Sequence, residues 1–405
     1  MTAPSSAPAP SPSAGSSPAT HPSGPAPREA MAITALATAA FALNLNTNVL
    51  GALLPFVRAA ENLTDEQGKQ LIAAAAFGSA AGSLAFGRVA AWCGRRTALL
   101  GAMAVFVVLS LLHLLPGSPL LLLLLRAGSG LAVGVAYAAA SALSAEIVPY
   151  HRRGASMGRF NAGMFLAIPV GMPLSVWFAS LGYWPGVFAL QAVVGLLGCY
   201  WTLRAVPVDA PAPTGASTWR VLANGGAMAG LFATALHVGS FFTTVQLATT
   251  WLDRTGRLPK DQQMPLWIGL GLLSVLGSSL LGRTADAVGK RLFVMVTSLL
   301  LAACFWLLAR EQDGLTLALV GSVLALVASA RTGPLQALVS GQVPAGDLAA
   351  LMGLRGFLMQ VGVGGFALAA AVLERERSFA AVLWLAVGFQ ALSYLAIRLF
   401  VREGK

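Results

Sequence analysis

The chain has 405 residues, of which 57% are hydrophobic and only 10% are charged, and its formal net charge is +11. A soluble domain carries about 25% charged residues, so this composition predicts an integral membrane protein and excludes an ordinary soluble enzyme. The positive charge alone would fit a nucleic-acid-binding protein, but its distribution along the chain, described below, excludes that class.

The first segment, residues 1–28, is rich in Ala, Pro, Ser and Gly. Such a segment buries too little apolar surface to offset the entropy of ordering, so we expect a disordered cytoplasmic tail. It lacks a basic start followed by a continuous apolar run, and we therefore do not expect a signal peptide. The first spanning helix should then direct insertion into the membrane.

Twelve apolar stretches follow, and each approaches the roughly twenty residues that a membrane-spanning helix needs. The predicted helices lie near residues 31–57, 70–91, 98–115, 119–142, 158–181, 186–206, 223–247, 264–282, 292–309, 315–341, 350–373 and 379–400. The proline-containing segment 207–222 is a predicted cytoplasmic linker between an N-terminal six-helix bundle, residues 29–206, and a C-terminal six-helix bundle, residues 223–405. The fold class is therefore an all-α integral membrane protein.

An even number of spans places both termini on one side of the membrane. On that side we count sixteen Lys and Arg residues, Arg355 among them, and on the other side eight. Positive residues remain in the cytoplasm, so both termini are predicted to be cytoplasmic in a multi-pass protein of the cell inner (plasma) membrane. The surplus of positive charge is thus a signal of topology rather than of nucleic-acid binding.

Two stretches of the chain are nearly the same. The sequence GRVAAWCGRR from Gly87 returns as GRTADAVGKR from Gly282, 195 residues later. The same offset relates Val148-Pro149 to Val343-Pro344, and Met157-Gly158 to Met352-Gly353. These matches indicate an internal duplication, and parallel six-helix repeats with a binding site at their interface are a transporter architecture.

The repeated stretch resembles the signature loop of the major facilitator superfamily, Gly-x-x-x-Asp-x-x-Gly-Arg/Lys-Arg. The first copy has Ala91 where the family usually has aspartate, whereas the second has Asp286. The segment Arg126-x-x-x-Gly130 resembles the family's fourth-helix motif. The segment from Gly163 to Pro173 loosely resembles the fifth-helix motif of the drug/proton antiporters. The resemblance implies two six-helix bundles and is greatest to the twelve-helix bacterial, arabinose-efflux-like group.

The resemblance also implies a role for the two loops as conformational latches. The first loop would meet the eleventh helix, and the second would meet the fifth helix, with Asp286 near Gly158. The alternative is that the loops only fix turns and topology. The predicted latch residues are Gly87, Gly94, Arg95, Arg96, Gly282, Asp286, Gly289, Lys290 and Arg291.

Polar residues within the predicted spans are the candidates for a binding site, because charged groups deep in a membrane are costly and usually functional. All fifteen acidic residues lie in a tail, a loop or a helix end. Arg126 and Arg331 lie deep, and we expect Arg126 to pair with polar groups of the first helix. Asn44, Thr47 and Asn48 share one face there, at i, i+3 and i+4.

His237 is the one histidine predicted in the middle of a helix, and histidine titrates near neutral pH. It is a candidate carrier of a coupling proton, and a hydrogen bond within a helix interface is the alternative role. Thr243 lies on the same predicted helix. The predicted substrate and coupling cavity consists of Asn44, Thr47, Asn48, Arg126, His237, Thr243 and Arg331.

These features together predict a secondary active transporter that moves a small organic solute by alternating access, as a proton-coupled exporter. An importer or facilitative uniporter of a small, anionic metabolite is the alternative. The sequence contains no nucleotide-binding loop and no His-Glu-x-x-His motif, so neither an ATP-driven pump nor an enzyme is expected. No catalytic residue, cofactor or metal is predicted. The expected partners are the substrate, lipid and protons, and we expect a monomer.

Overall fold

The computed structural model describes residues 27–115, 118–207, 218–256, 258–310, 313–376 and 378–403, and these ranges are almost entirely helical. Most of the predicted tail and residues 208–217 of the predicted linker lie outside the described residues. The helices are α1 (Pro27–Glu61), α2 (Asp65–Cys93), α3 (Arg95–Leu112), α4 (Pro119–Glu146), α5 (Arg153–Leu166), α6 (Met172–Ser180), α7 (Gly186–Ala205), α8 (Thr218–Ala223), α9 (Gly225–Thr255), α10 (Lys260–Leu280), α11 (Gly282–Val288), α12 (Lys290–Arg310), α13 (Gly314–Ser340), α14 (Leu348–Glu376) and α15 (Phe379–Phe400).

The described part of the chain contains twelve segments long and apolar enough to cross a membrane, which confirms the predicted number. Helices α5 and α6 and the turn between them form one span, Tyr150–Ser180. Another span, Gln262–Val288, covers most of α10 together with α11. The end of the predicted linker is helical, because residues 218–222 belong to the short helix α8.

The fifth span differs most from its prediction of residues 158–181. It starts earlier, because the short 3-10 turn Tyr150–Arg152 leads directly into α5. Between α5 and α6 the helix widens into a π-turn, Ala167–Gly171, that contains Pro169. Proline has no amide hydrogen and cannot continue the regular hydrogen-bond ladder, which explains the change in winding. Single π-turns of this kind are frequent at functional sites.

The duplication seen in the sequence is also visible in the helix boundaries. Helices α3 and α12 begin at Arg95 and Lys290, and α5 and α14 begin at Arg153 and Leu348, in each case 195 residues apart. The same spacing relates α2 to α10 and α4 to α13. The chain therefore contains two copies of one six-helix arrangement, which we call the N-terminal and C-terminal halves.

Both described ends of the chain lie on one face of the bundle. At the start of α1, Glu29 pairs with Arg152 at 3.1 Å, next to the beginning of α5. After α15, the Glu403 carboxylate accepts a hydrogen bond from the amide of Lys290 at the start of α12, at 2.5 Å. We call this side the terminal face and the other side the opposite face.

Glycine allows α2 and α4 to pack backbone against backbone. A Cβ atom on Gly130 would lie 2.1 Å from the carbonyl oxygen of Ala75, and one on Gly82 would lie 2.1 Å from that of Leu131. Any side chain would therefore force the two helices apart. Small residues with this spacing permit such contact in membrane helices, where packing rather than hydrophobicity drives association.

We predict that Gly130→Ala destabilises the N-terminal half by about 1–3 kcal/mol, the usual cost of overpacking a tight interface. Gly101→Ala is the matched control, because a Cβ atom there meets nothing within 4 Å. The measurement is the fraction of detergent-solubilised protein that remains monodisperse after heating. Equal thermal stability of the two variants would contradict the packing argument.

Candidate functional site

A cavity lies between the two halves and is the candidate transport site. Its volume is about 770 Å³, including the part open to solvent, and we call it the central cavity. Helices α1, α2, α4, α5, α9 and α14 contribute its lining, so both halves enclose it. The lining residues are Asn44, Thr47, Ser79, Ser83, Val133, Tyr137, Met164, Val238, Phe242, Gln246, Gly356, Met359, Gln360 and Val363.

The central cavity opens toward the opposite face. Thr47 on α1 and Gln246 on α9 are exposed, and both line the cavity. Each lies about 30 Å along a helix that starts at the terminal face, at 1.5 Å per residue. That length is close to the roughly 30 Å thickness of the hydrocarbon core. The cavity therefore occupies the middle of the bundle and its opposite-face half.

Of the residues predicted for the cavity, Asn44 and Thr47 lie on its wall. The side chain of Asn48 lies outside the described residues. His237 is buried and its ring stacks on Phe241, with centroids 6.3 Å apart, so it lies behind the wall beside the lining residue Val238. Thr243 is also buried, and its hydroxyl donates to the carbonyl of Val363 at 3.4 Å.

Arg126 pairs with the first helix as predicted, but with a different residue. Its guanidinium donates to the Asn46 side-chain oxygen at 2.7 Å and to the Asn46 carbonyl at 3.1 Å. Both residues are buried within the N-terminal half. The expected partners on α1 were Asn44, Thr47 and Asn48. The observed partner is Asn46, which points toward α4 and is not among the residues that line the central cavity.

Arg331 lies inside the C-terminal half and not among the residues lining the central cavity. It is fully buried, and its guanidinium donates to the hydroxyls of Ser298 at 3.1 Å and Ser393 at 2.7 Å. These partners come from α12 and α15, so the side chain points to the centre of its own bundle. The structure thus corrects the predicted placement of Arg331 on the cavity wall.

Tyr137, Gln246 and Gln360 line the central cavity, although none of them was predicted from the sequence to do so.

Arg355 was predicted to lie among the cations on the cytoplasmic side of the membrane. In the structure Arg355 is only 2% exposed. It is the eighth residue of α14, about 10 Å along the helix. Arg126 is likewise the eighth residue of α4, and its depth was recognised from the sequence. The depth of Arg355 was missed because the predicted start of its helix was two residues too late.

A second cavity, almost wholly apolar, is lined by the C-terminal half and by Ile168 of the N-terminal half. Its volume is about 830 Å³, with walls that include Trp251, Trp267 and Phe305. Phe242 lines both cavities and stacks on Phe165 across the two halves, with centroids 6.2 Å apart. Phe242 therefore separates the central cavity from this second space.

Asp286 connects the two halves at the terminal face. Its carboxylate oxygens accept hydrogen bonds from the amides of Gly154 at 3.0 Å and Ala155 at 2.8 Å, and Lys290 pairs with it at 2.8 Å. These amides open α5, where the helix dipole favours a negative charge. The contact falls one turn before Gly158, the position expected from the sequence.

The first loop makes a different contact, because Ala91 has no carboxylate. Arg95 instead donates to the carbonyl of Ala345 at 3.0 Å, across the halves, while pairing with Glu146 at 2.8 Å. A Cβ atom on Gly87 would lie 3.4 Å from the Cα atom of Ala350 at the start of α14. Both loops therefore contact the other half, the second through the Asp286 carboxylate and the first through the Arg95 guanidinium.

A model of the Major Facilitator Superfamily matches residues 36–256, which is more than half of the chain. The chain belongs to the major facilitator superfamily. This membership agrees with the duplicated six-helix halves and with the cavity between them.

Individual relatives are distant. Over 294 residues, 71% of this chain and 75% of the relative, the chain is 23% identical to the inner membrane transport protein YdhP of Escherichia coli strain K12. It is 27% identical over 193 residues to the purine ribonucleoside efflux pump NepI of Shigella dysenteriae, covering 45% of this chain and 49% of NepI.

Solved structures confirm the fold. The proton:xylose symporter XylE bound to 6-bromo-6-deoxy-D-glucose superposes with a TM-score of 0.77, at 16% identity, over 93% of this chain and 96% of that one. The human organic anion transporter MFSD10 gives a TM-score of 0.74, at 16% identity, over 92% of this chain and 100% of that one. At such low identities the likeness concerns the fold alone.

We predict that Asn46→Ala destabilises the protein by about 1.5–3 kcal/mol, because it removes a buried acceptor from the Arg126 guanidinium. Thr47→Ala is the control, since Thr47 is exposed and its hydroxyl reaches only the Leu43 carbonyl at 3.5 Å. Thermal unfolding in one detergent compares the two. If Asn46→Ala unfolds at the same temperature as Thr47→Ala, the Asn46 contact does not stabilise Arg126.

Proposed function

We propose that this protein is a secondary active transporter that exports a small organic solute across the inner membrane by alternating access, acting as a monomer. The observation that carries the proposal is the central cavity, which is bounded by both halves and closed at the terminal face by contacts between them. A cavity closed on one side only is what a transporter requires in one of its two states.

The proposed direction depends on topology and on the relatives. The surplus of Lys and Arg on the terminal face supports a cytoplasmic location for that face. The cavity would then open to the outside. The name of the relative NepI describes an efflux pump, and the π-turn around Pro169 falls in the segment that resembles the antiporter motif. Both observations favour export.

We further propose that coupling to protons, if it occurs, uses His237. None of the residues that line the central cavity is an Asp or Glu. His237 lies directly behind the wall, and its Nδ1 atom is buried without a hydrogen-bond partner in the described structure. The charged groups that face it are Arg331 on α13 and Arg355 on α14. A proton on His237 would therefore repel two cations, which gives protonation a means to alter the packing of these helices.

We predict that His237→Gln flattens the dependence of transport on pH while leaving transport at high pH within about threefold of the parent, because glutamine keeps the neutral hydrogen-bonding role. Initial rates of solute efflux from proteoliposomes between pH 4.5 and 8.5 provide the measurement, since two neighbouring cations oppose the protonation of His237. An unchanged pH profile in the variant would remove His237 from coupling.

The absence of an acid from the described cavity wall also favours a second candidate, a facilitative uniporter or importer of a small anionic metabolite. Such a protein needs no proton carrier and would equilibrate its solute in either direction. The direction of net solute movement in cells separates the two functions.

Comparative metabolite analysis of whole cells tests the proposal. Cells expressing the protein are compared with cells expressing Met359→Trp, which fills the central cavity from α14, by mass spectrometry of medium and cytosol. Purine nucleosides are added as one probe class because of the relative NepI. Export predicts a solute enriched in the medium only with the parent protein, and a proton uncoupler should abolish the enrichment. Depletion of a solute from the medium supports the alternative, and identical profiles contradict both.

We predict that Asp286 stabilises the state closed at the terminal face, so Asp286→Asn should raise the open population roughly two- to fivefold, and Ala91→Asp should lower it. The measurement is the distance distribution between spin labels at Trp92 and Val288, exposed positions on the terminal face. Glu403→Gln is the control, because Glu403 contacts only amides of its own half in the described structure. Distributions that do not change in either variant would show that Asp286 serves only the turn.

A further inference from the structure

Arg355 is a buried cation without an acidic partner. It is 2% exposed, and in the described structure no carboxylate lies within salt-bridge distance and its Nε atom has no hydrogen-bond partner. Its guanidinium faces the Tyr137 hydroxyl of the other half. By contrast, Arg95 pairs with the Glu146 carboxylate. Arg126 and Arg331 donate to neutral side-chain oxygens, and those oxygens belong to their own halves. Arg355 is thus a deep cation located between the halves.

Tyr137 begins a chain of hydrogen bonds that crosses between the halves. Its hydroxyl donates to the side-chain oxygen of Asn161 at 3.2 Å, and the Asn161 amide donates to the side-chain oxygen of Gln336 at 3.0 Å. The chain runs from α4 to α5 and, in the other half, to α13. Asn161 and Gln336 are fully buried. Separation of the halves at the terminal face breaks the contact of Asn161 with Gln336.

Arg355 and Tyr137 lie at the floor of the central cavity. Arg355 directly precedes Gly356 on α14, and Met359 lies one turn further along. Gly356, Met359 and Tyr137 all line the cavity. Separation of α14 from α4 would expose the Arg355 guanidinium to the space that these three residues line.

The charge itself needs an explanation. A buried charge without a counter-charge carries a large desolvation penalty, and a glutamine could donate to Tyr137 without that penalty. Ionisable groups kept inside a membrane protein usually mark a solute or ion pathway. A cleft whose walls carry charge of one sign also concentrates solutes of the opposite sign.

We propose that Arg355 is the specificity-determining residue of the central cavity and makes it select solutes that carry a negatively charged group such as a carboxylate. The inference deepens the proposed transport function and rests on it for its biological meaning. The selectivity arises from a single uncompensated guanidinium at the cavity floor.

The test measures the charge preference of the cavity without knowledge of the substrate. Cys93, Cys199 and Cys304 are replaced by serine, and Met359→Cys places one reporter thiol on the cavity wall next to Arg355. The modification rates are measured with a negatively charged methanethiosulfonate, the sulfonatoethyl reagent, and a positively charged one, the trimethylammonioethyl reagent. In both reactions the thiolate introduced by Met359→Cys attacks the thiosulfonate sulfur and displaces methanesulfinate. The ratio of the negative to the positive reagent's rate, divided by the same ratio for a small thiol free in solution, therefore reports the local potential.

We expect the normalised ratio to favour the negative reagent in the protein that keeps Arg355, and Arg355→Gln to lower this ratio by at least about fivefold at low salt. Arg355→Lys should preserve the ratio. Arg204→Gln is the control, since it removes an equal charge from the exposed end of α7. If Arg355→Gln does not fold, Arg355→His should show a ratio that rises as the pH falls.

Three results would overturn the proposal: a normalised ratio unaffected by Arg355→Gln, a normalised ratio that favours the positive reagent while Arg355 is present, or a reporter that neither reagent modifies. The assay needs no transport. A failed export experiment with a preserved Arg355-dependent ratio would therefore contradict the proposed function and leave the charge selectivity standing.

Discussion

The two halves are held together at the terminal face by hydrogen bonds aimed at the backbone of the opposite half. Asp286 accepts from two amides of α5, Arg95 donates to a carbonyl before α14, and the Ser278 hydroxyl donates to the Gly158 carbonyl at 2.8 Å. Contacts of this kind form only when the backbones themselves approach. Glycine allows that approach, because a Cβ atom on Gly158 would lie 2.2 Å from the Ser278 carbonyl oxygen. The closed interface therefore forms or breaks over a short separation, which favours two discrete states over a continuum.

The duplication makes the two halves alike in outline and different in chemistry. Both have a short turn and a new helix at the same offset, yet the acid of one loop is replaced by Ala91 in the other. In the first loop the positive Arg95 makes the contact between the halves that Asp286 makes in the second. Arg355 adds to this asymmetry, because the residue 195 positions earlier is Phe160. The polar contacts at the cavity floor are consequently not symmetric, and the two halves need not contribute equally to solute binding.

Much of the architecture could be predicted from the sequence, because hydropathy and repeated motifs act over many residues. The number of helices and the duplication followed from such patterns. The contact of Asp286 with the fifth span followed from the resemblance to the family. The cavity wall could not be predicted as well, since it depends on where single side chains point. Asn46 differs from Asn44 by two positions, about 200° around a helix, and faces Arg126 instead of the cavity. The depth of Arg331 in its helix could be predicted from the sequence. The direction of its side chain could not, because it depends on serines of two other helices.

In alternating access, one face of the bundle opens as the other closes. Two distance measurements, made first with the native Ala91 and Asp286 in place, test this reciprocal motion most directly. One spin-label pair lies on the terminal face at Trp92 and Val288, and the other lies on the opposite face at Leu115 and Leu315, all exposed positions. The account predicts two populations for each pair in lipid nanodiscs. When a change of pH or the Asp286→Asn substitution shifts one distance to shorter values, the other should shift to longer values in the same fraction of molecules. Distances that vary independently, or a single invariant population at both faces, would contradict alternating access by these two halves.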